Sequence, residues 1–508
     1  LFRRIDEAEQ QGVPLLIVVR ALADCHDTLR AHLATRLFWQ LLPLADMQEH
    51  GRGRFSAVLQ LGPRNPGLPQ ALPHDGLRIL FMAFSPQDVQ PVLDYEGEEE
   101  RFLEMLAPFI SKGRAQLRIV EDGTLEDLER ALLLDAYDVV HLTGHGIITP
   151  QGPRLLMEDD TGMRRRRTDG TLVDVSPADL IATLRRAVPM PPLVVLSNCH
   201  SADSRDATPS FAVELVAAGV PVTLGWTRPV RDDHATDAAG DIYQQLAAGK
   251  PLVEAVELAR DLLRQREEKS PQPSRTWSTL ALVASSAAGV RVDRHAPPLP
   301  PMLHAEQIYR FLLGGHMKVL ERGFVGRRRL LQRLVRVLRD GKFADEDGGH
   351  RYIAGVVVWG MKGIGKSCLV ARAVERAAQH STDLGLVVLH GALHDMAVLT
   401  AFQRLAVDRW GDTEAEKLLA QKDLPVSQRV RRVLALWSTR PVAVIFDDFE
   451  QNLDLRTDGP ARLHSHAAEL LDVLVPACKI GDPKLLITTT VIFELPASFC
   501  TALGELRV

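Results

Sequence analysis

The sequence predicts an α/β protein: a mostly parallel α/β/α sandwich followed by a second α/β domain. Three observations predict it. From about residue 77, near-continuous apolar runs of strand length alternate with amphipathic helical stretches, the pattern of parallel strands covered on both faces. A proline-rich joint, HAPPLPPML at 295–303, interrupts the alternation, because proline blocks regular structure and stiffens a connection. Beyond it the alternation resumes with a new helix, strand and helix.

Each element follows in order. GLRILFMAF reads as a buried strand, EGEEERFLEMLAPFI as an amphipathic helix and AQLRIVED as a strand. TLEDLERALLL is helical, and YDVVHLTG is the next strand. A hairpin around PRLLMEDD follows, then a helix opened by the Ser176-Pro177 cap pair and the strand PPLVVLS. Helix FAVELVAAG, strand PVTLGW, two helices around Pro251 and strand WSTLALVAS close the layer, giving a first domain over 77–290. Residues 1–76 carry less regular signals, including helical DTLRAHLATRLFWQLL, and form a separate N-terminal region of unassigned role. Residues 291–316 read as a linker and 317–508 as the second domain, with helix RRRLLQRLVRVLRD, strand YIAGVVVWG and helix CLVARAVERAAQ.

Composition narrows the class. With 46% hydrophobic and 25% charged residues over 508 positions, the chain has material for more than one ordinary core. A net charge of -5 gives no overall field to attract nucleic acid or anionic membrane. The five cysteines, at 25, 199, 368, 478 and 500, are scattered and odd in number, without zinc spacing, which fits a reducing cytoplasm. No apolar run of about 18 residues marks a membrane span. The opening Leu1 and the final strand-like segment suggest a fragment of a longer product.

Two strand ends carry reactive side chains. His145 follows YDVVHLTG and Cys199 follows PPLVVLSN, and in a parallel sheet ligands gather at the carboxyl ends of strands. A thiolate benefits from an imidazole that takes its proton and returns it to a leaving amine. Gly146 has no side chain, so its N–H and that of Cys199 suit an oxyanion. On composition alone a free cysteine is more often a small buried hydrophobe, and a histidine after a strand a structural residue. His141 is read as structural: it lies about 13 Å along the strand from His145, too far for the pair to chelate one ion. Asp203, Asp232 and Asp233 are acids that would suit a basic side chain, although such loop residues are commonly just solvated.

HLTGHG followed by LSNCHSAD resembles the CHAT family, caspase-like cysteine peptidases of clan CD that also resemble separase. The likeness runs over roughly 77–285, from LRILFMAFSPQDVQPVLDYEGEEERFLEML to WSTLALV. It implies a His145/Cys199 dyad, an oxyanion site from the Gly146 and Cys199 backbones, and a protein substrate. Some relatives with a basic preference carry aspartate two residues before the nucleophile, where this chain has Ser197.

Downstream, GMKGIGKS satisfies G-x-x-x-x-G-K-[ST] with Gly360, Gly365, Lys366 and Ser367, and Gly363 lies inside the loop. Glycine N–H groups wrap phosphate oxygens at a helix N-terminus, the lysine neutralises them and the serine hydroxyl ligates Mg2+. A second apolar strand, PVAVIFDDFEQN, ends in Asp447 and Asp448: Asp447 suits the metal, and Asp448 or Glu450 suits orienting an attacking water. KLLITTT brings Thr488 or Thr489 toward the terminal phosphate. Together with GFVGRRRLLQRL, these segments resemble STAND ATPases, relatives of NACHT and NB-ARC switches, over about 317–505. The resemblance implies ATP/ADP with Mg2+ as ligands and self-oligomerisation on activation. Thr490 stands where relatives often carry a sensor arginine, which puts hydrolysis in question. No N-K-x-D motif supports guanine.

The basic run Arg164 to Arg167 lacks interleaved aromatics, so a solvated loop is favoured over nucleic-acid contact. The expectation is a cysteine endopeptidase governed by an ATP-binding switch, of a kind suited to bacterial defence or programmed cell death. The alternative is an ATP-dependent scaffold whose caspase-like domain binds without cutting.

Overall fold

The computed structural model describes residues 15–21, 55–61, 70–91, 93, 95–159, 161–166, 170–198, 210–269, 276–285, 290–300, 317, 327–344, 350–380, 383–455, 460–496, 499 and 501–508. Two units, Leu1–Pro301 and Met302–Val508, each have their own interior. The helix expected over DTLRAHLATRLFWQLL lies outside the described residues.

In the first unit the strands and helices are β1 (Leu15–Ala21), β2 (Phe55–Leu61), β3 (Gln70–Ala71), β4 (Leu77–Phe84), α1 (Tyr95–Ile110), β5 (Ala115–Val120), α2 (Leu125–Leu134) and β6 (Val139–Gly144). Then come β7 (Gly146–Thr149), β8 (Gly152–Leu155), α3 (Pro177–Leu184), β9 (Leu193–Asn198), α4 (Phe211–Ala217) and β10 (Val222–Trp226). α5 (Asp232–Ala247), α6 (Leu252–Glu268), β11 (Leu280–Ala284) and β12 (Val290–Arg291) complete it. Eight strands form one sheet in the order β1-β2-β11-β10-β9-β6-β4-β5. Neighbours are parallel except β10 against β11. The sheet therefore extends through β1 and β2 into residues that the sequence assigned to a separate N-terminal region. Their apolar runs are long enough to pair, but the Gly/Pro-rich stretch after β2 breaks the strand–helix alternation that marks the later strands.

Strand alternation divides the interior in two. Ile79, Phe81 and Ala83 of β4 pack with α1, α5 and α6, whereas Leu80, Met82 and Phe84 pack with α2, α3 and α4. Local signals fix the helix starts: Thr124 caps α2, and Ser176 with Asp179 forms a capping box that opens α3 with Pro177 in its first turn. On the first face His141 is fully buried, its Nδ1 2.6 Å from the Tyr243 hydroxyl and its Nε2 3.5 Å from Glu98 Oε1. Phe81 and Phe102 flank its ring. His141 is thus the structural residue that the sequence suggested.

At the amino end of the sheet, residues 290–300 pack against the first unit. β12 pairs with β3, Asp75 N–H donates to Pro297 O, and buried Arg78 donates through Nη2 to Pro300 O at 2.8 Å. Residues 290–300 are therefore packed on the first unit and are not a free linker; their backbone carbonyls, invisible to a composition reading, are the anchors. Asp138, at the foot of β6, accepts from Arg78 N–H at 2.7 Å and lies 3.5 Å from His74 Nε2.

The second unit contains α7 (Arg328–Asp340), β13 (Lys342–Ala344), β14 (His350–Tyr352), β15 (Gly355–Trp359), α8 (Lys366–His380), β16 (Gly385–His390) and α9 (Asp395–Gln403). α10 (Thr413–Leu419), α11 (Val426–Leu436), β17 (Val442–Asp447), β18 (Leu453–Asp454), β19 (Arg462–Leu463), α12 (Ser465–Ile480), β20 (Lys484–Thr489) and β21 (Leu503–Arg507) follow. Five parallel strands lie in the order β16-β17-β20-β15-β21, with α9 to α12 packed on one face and α7 and α8 on the other. Lys484 is drawn in to cap α12: its ammonium donates to the carbonyls of Cys478 and Gly481, satisfying helix-end acceptors. Among the described residues no helix is long and apolar enough to cross a membrane.

Burial pushes the Asp138 carboxyl up to about 6, against the lowering charge of His74 and the Arg78 hydrogen bond. An unfolded aspartate titrates near ~4. Between those values the folded chain keeps a proton that the unfolded chain releases, so stability falls as pH rises from about 4 to about 6 and this contribution is level above. Asp138→Asn, which retains an acceptor for Arg78, should lack that slope, so the stability difference between wild type and variant should shrink or reverse as pH rises from about 4 to about 6. Parallel curves across the window would refute the assignment.

Candidate functional sites

At the carboxyl edge of the first sheet, β4, β6 and β9 end level: Phe84 pairs with Gly144, and Gly144 with Asn198. Adjacent strands lie about 4.8 Å apart. His145 is the first residue past β6, and position 199 follows β9 in the sequence. Cys199, His200 and Asp203 themselves lie outside the described residues. Ser197, the penultimate residue of β9, is buried, and its carbonyl accepts from Thr143 Oγ1 at 3.4 Å.

His145 is half-buried, and its Nε2 lies 2.8 Å from the Pro91 carbonyl oxygen. A carbonyl only accepts, so Nε2 carries the proton, and in the neutral ring Nδ1 is the basic nitrogen. Pro91 is the His145 partner that sequence reading misses, since any residue supplies a carbonyl. Gly146 opens the β7–β8 hairpin, paired with Leu155, while Leu156 N–H holds the His145 carbonyl at 2.9 Å. The turn from β6 into this hairpin depends on Gly144. A Cβ there would sit 2.3 Å from the Phe84 ring and 2.5 Å from the Phe84 carbonyl.

The charged residues around this edge are mostly spoken for. Arg164 pairs with Asp174, Arg165 with Glu126 and Arg166 with Asp88, so these three arginines fasten their own loop. Arg167 lies outside the described residues. At the start of α5, burial works against ionisation of Asp233, but its hydrogen bonds from Arg231 and the charge of His234 hold the carboxyl below its usual range. Asp232 begins the same helix.

Residues 44–285 match the family model of the CHAT domain. The matched stretch covers the edge carrying His145 and begins well before residue 77, in keeping with the wider sheet. No curated protein matches the chain in sequence. Among solved structures the chain is similar to the Arg-specific cysteine proteinase gingipain R, at 9% identity over 55% of this chain and 78% of that one, with a TM-score of 0.34. It is also similar to the Saccharomyces cerevisiae separase–securin complex, at 12% identity over 45% of this chain and 15% of that chain, with a TM-score of 0.27.

The second unit has its own constellation outside the CHAT domain. Its glycine loop leaves β15 and enters α8 at Lys366, with Gly363 and Gly365 at positive φ of 80° and 95°. Lys366 is buried, and its ammonium donates to the carbonyls of Gly360 and Met361 at 3.0 and 3.1 Å. Ser367 Oγ and Thr488 Oγ1 both donate to Asp447 Oδ1 at 2.6 Å, and His390 Nδ1 is 3.3 Å from Asp447 Oδ2. The hydroxyl and carboxylate expected to share a cation are therefore neighbours, and the donor set of oxygens suits a hard divalent ion. Among the described residues no cluster of three or more histidine, cysteine or carboxylate side chains is arranged to hold a metal unaided.

Asp448 adopts a left-handed backbone, φ 59°, and its carboxylate accepts from Gln451 at 2.8 Å. Burial opposes its ionisation, but the Gln451 and Glu450 hydrogen bonds and the charges of His390 and Lys362 hold it below the ordinary range. Glu450 accepts from Thr490 N–H at 3.3 Å. Thr489 is fully buried and bonded within its own turn to Val491, so of the two threonines only Thr488 reaches the Asp447 cluster. Arg327 lies against the loop, its Nη1 3.2 Å from where a Gly365 Cβ would stand.

Gly144→Ala should cost on the order of 1–3 kcal/mol of stability, because the Phe84 backbone cannot rotate away. Chemical denaturation of the full chain measures it. A variant as stable as wild type would show that the strand tip tolerates a side chain.

Proposed function

We propose that the chain is a cysteine endopeptidase whose action is governed by an ATP-binding switch in its second unit. The observation that supports the peptidase reading is the Gly144–Asn198 pairing, which ends β6 and β9 level, each one residue before a member of the expected dyad, inside the stretch that matches the CHAT domain. In this reading His145 Nδ1 takes the Cys199 thiol proton while Pro91 O holds Nε2–H and fixes the ring. The thiolate adds to a peptide carbonyl carbon, and the oxyanion draws on the N–H groups of Gly146 and Cys199. His145 then hands its proton to the departing amine, leaving a thioester. Water, deprotonated by the same nitrogen, hydrolyses that thioester and restores the thiol.

The nucleotide reading rests on the glycine loop at the start of α8 and on the Ser367–Asp447–Thr488 cluster beside it. Bound MgATP supplies a terminal phosphate and its charge, which distinguish two states of the unit. Gly360, Gly363 and Gly365 leave the loop backbone open to phosphate oxygens, and Lys366 exchanges its loop carbonyls for those oxygens. Ser367 and Asp447 would hold the cation. Asp448, kept ionised, and Glu450 are the acceptors able to orient an attacking water; Thr490 contributes its backbone N–H to Glu450 and no cationic side chain.

Profiling of new protein termini in cells carrying wild type or Cys199→Ala tests the peptidase reading. Cleavage should fall at least about a thousandfold in Cys199→Ala and in His145→Ala. Equal profiles from wild type and Cys199→Ala would overturn it. Fluorescent ATP should bind the chain, and Lys366→Ala should weaken binding by about 10-fold or more. Unchanged affinity in that variant would remove the switch.

A further inference from the structure

The nucleotide reading leaves one polar side chain of the cluster unassigned. His390 ends β16, and the parallel register sets it directly beside Asp447 at the end of β17. Its Nδ1 lies 3.3 Å from Asp447 Oδ2, on the carboxylate oxygen that neither hydroxyl uses. Asp447 is 4% exposed and is otherwise held through Oδ1 alone by Ser367 and Thr488. The Lys366 ammonium is turned to the loop carbonyls instead.

We propose that His390 is a positioning residue of the nucleotide site, fixing Asp447 so that Oδ1 faces Ser367 when a nucleoside triphosphate and its divalent cation are held. The inference rests on the nucleotide reading above. A carboxylate turns readily about its last bond, since such torsions have broad wells. When Ser367 gives its oxygen to a cation, its hydrogen bond to Asp447 is lost, and Thr488 alone does not define the carboxylate plane. A second donor on Oδ2 does. Partners of this outer kind commonly change metal affinity by about 10–100-fold when removed. His390 is half-exposed at the end of its strand, so its replacement does not open the interior.

The test is titration of Mg2+ into the full chain with a fluorescent ATP analogue, alongside binding of the analogue in EDTA. His390→Ala should raise the Mg2+ concentration for half-maximal effect by about tenfold, with affinity in EDTA changed less than twofold. His390→Phe, which keeps a ring but no donor, should match it. His390→Asn, whose amide N–H reaches the same oxygen, should recover most of the loss. Wild-type Mg2+ dependence in the Ala and Phe variants overturns the inference, as does an equal loss with and without Mg2+, which marks a merely structural residue. If wild type binds no nucleotide, or Lys366→Ala binds as well as wild type, the nucleotide reading itself falls and takes this inference with it.

Discussion

The first unit depends on one registration: Phe84, Gly144 and Asn198 stand abreast at the carboxyl edge of three parallel strands. A strand has a side-chain period of two, so a slip of a single residue would carry Phe81 and His141 out of one interior and into the other. Both interiors resist that slip. Val140 and Leu142 are fitted among α2, α3 and α4, while His141 is fitted against Tyr243 and Glu98 on the opposite face. The buried polar cluster is register-specific in a way that an apolar residue would not be, because a displaced imidazole would lose its hydroxyl partner in a dry interior. The same registration makes the tips of β4, β6 and β9 level at one edge of the sheet.

Much of this architecture was legible as alternation. The strands from 77 to 84, 115 to 120, 139 to 144, 193 to 198 and 222 to 226 are apolar nearly throughout, as strands buried on both faces must be, and Ser176-Pro177 announces α3. What escaped was carried by backbone or by distance along the chain. Pro91 acts on His145 through a carbonyl, and Pro300 anchors to Arg78 the same way, so neither side chain signals its role. β1 and β2 join the far edge through β11, a pairing across more than 200 residues that no local window contains. His390 ends an apolar strand much as His145 follows one, but its relevance appears only once β16 is known to lie beside β17.

The two sites use the same edge of a parallel sheet in different ways. Around the glycine loop the polar groups satisfy one another: Lys366 rests on loop carbonyls, and Ser367 rests on Asp447. Such a site holds its donors and acceptors near working positions without leaving them bare in a buried setting, where an unmet group costs about 1–3 kcal/mol. In the proposed nucleotide reading, a ligand would have only to exchange partners. His145 is held otherwise: among the described residues its ring is fixed by the Nε2 bond to the Pro91 carbonyl.

That difference bears on how each site responds to change elsewhere in its unit. The Asp447 cluster draws on β17, β20, β16 and the start of α8, so a shift of any one element breaks a bond that another must make good. Replacement within it is therefore non-additive, and coupling between Thr488 and His390 follows from their sharing one carboxylate. His145 draws on β6 and on the segment after β4 that carries Pro91. The strand is fixed by both interiors, whereas Pro91 is exposed and sits in irregular chain. Movement of that segment would release Nε2 without disturbing the sheet, so the orientation of the imidazole, more than its location, is the quantity open to control.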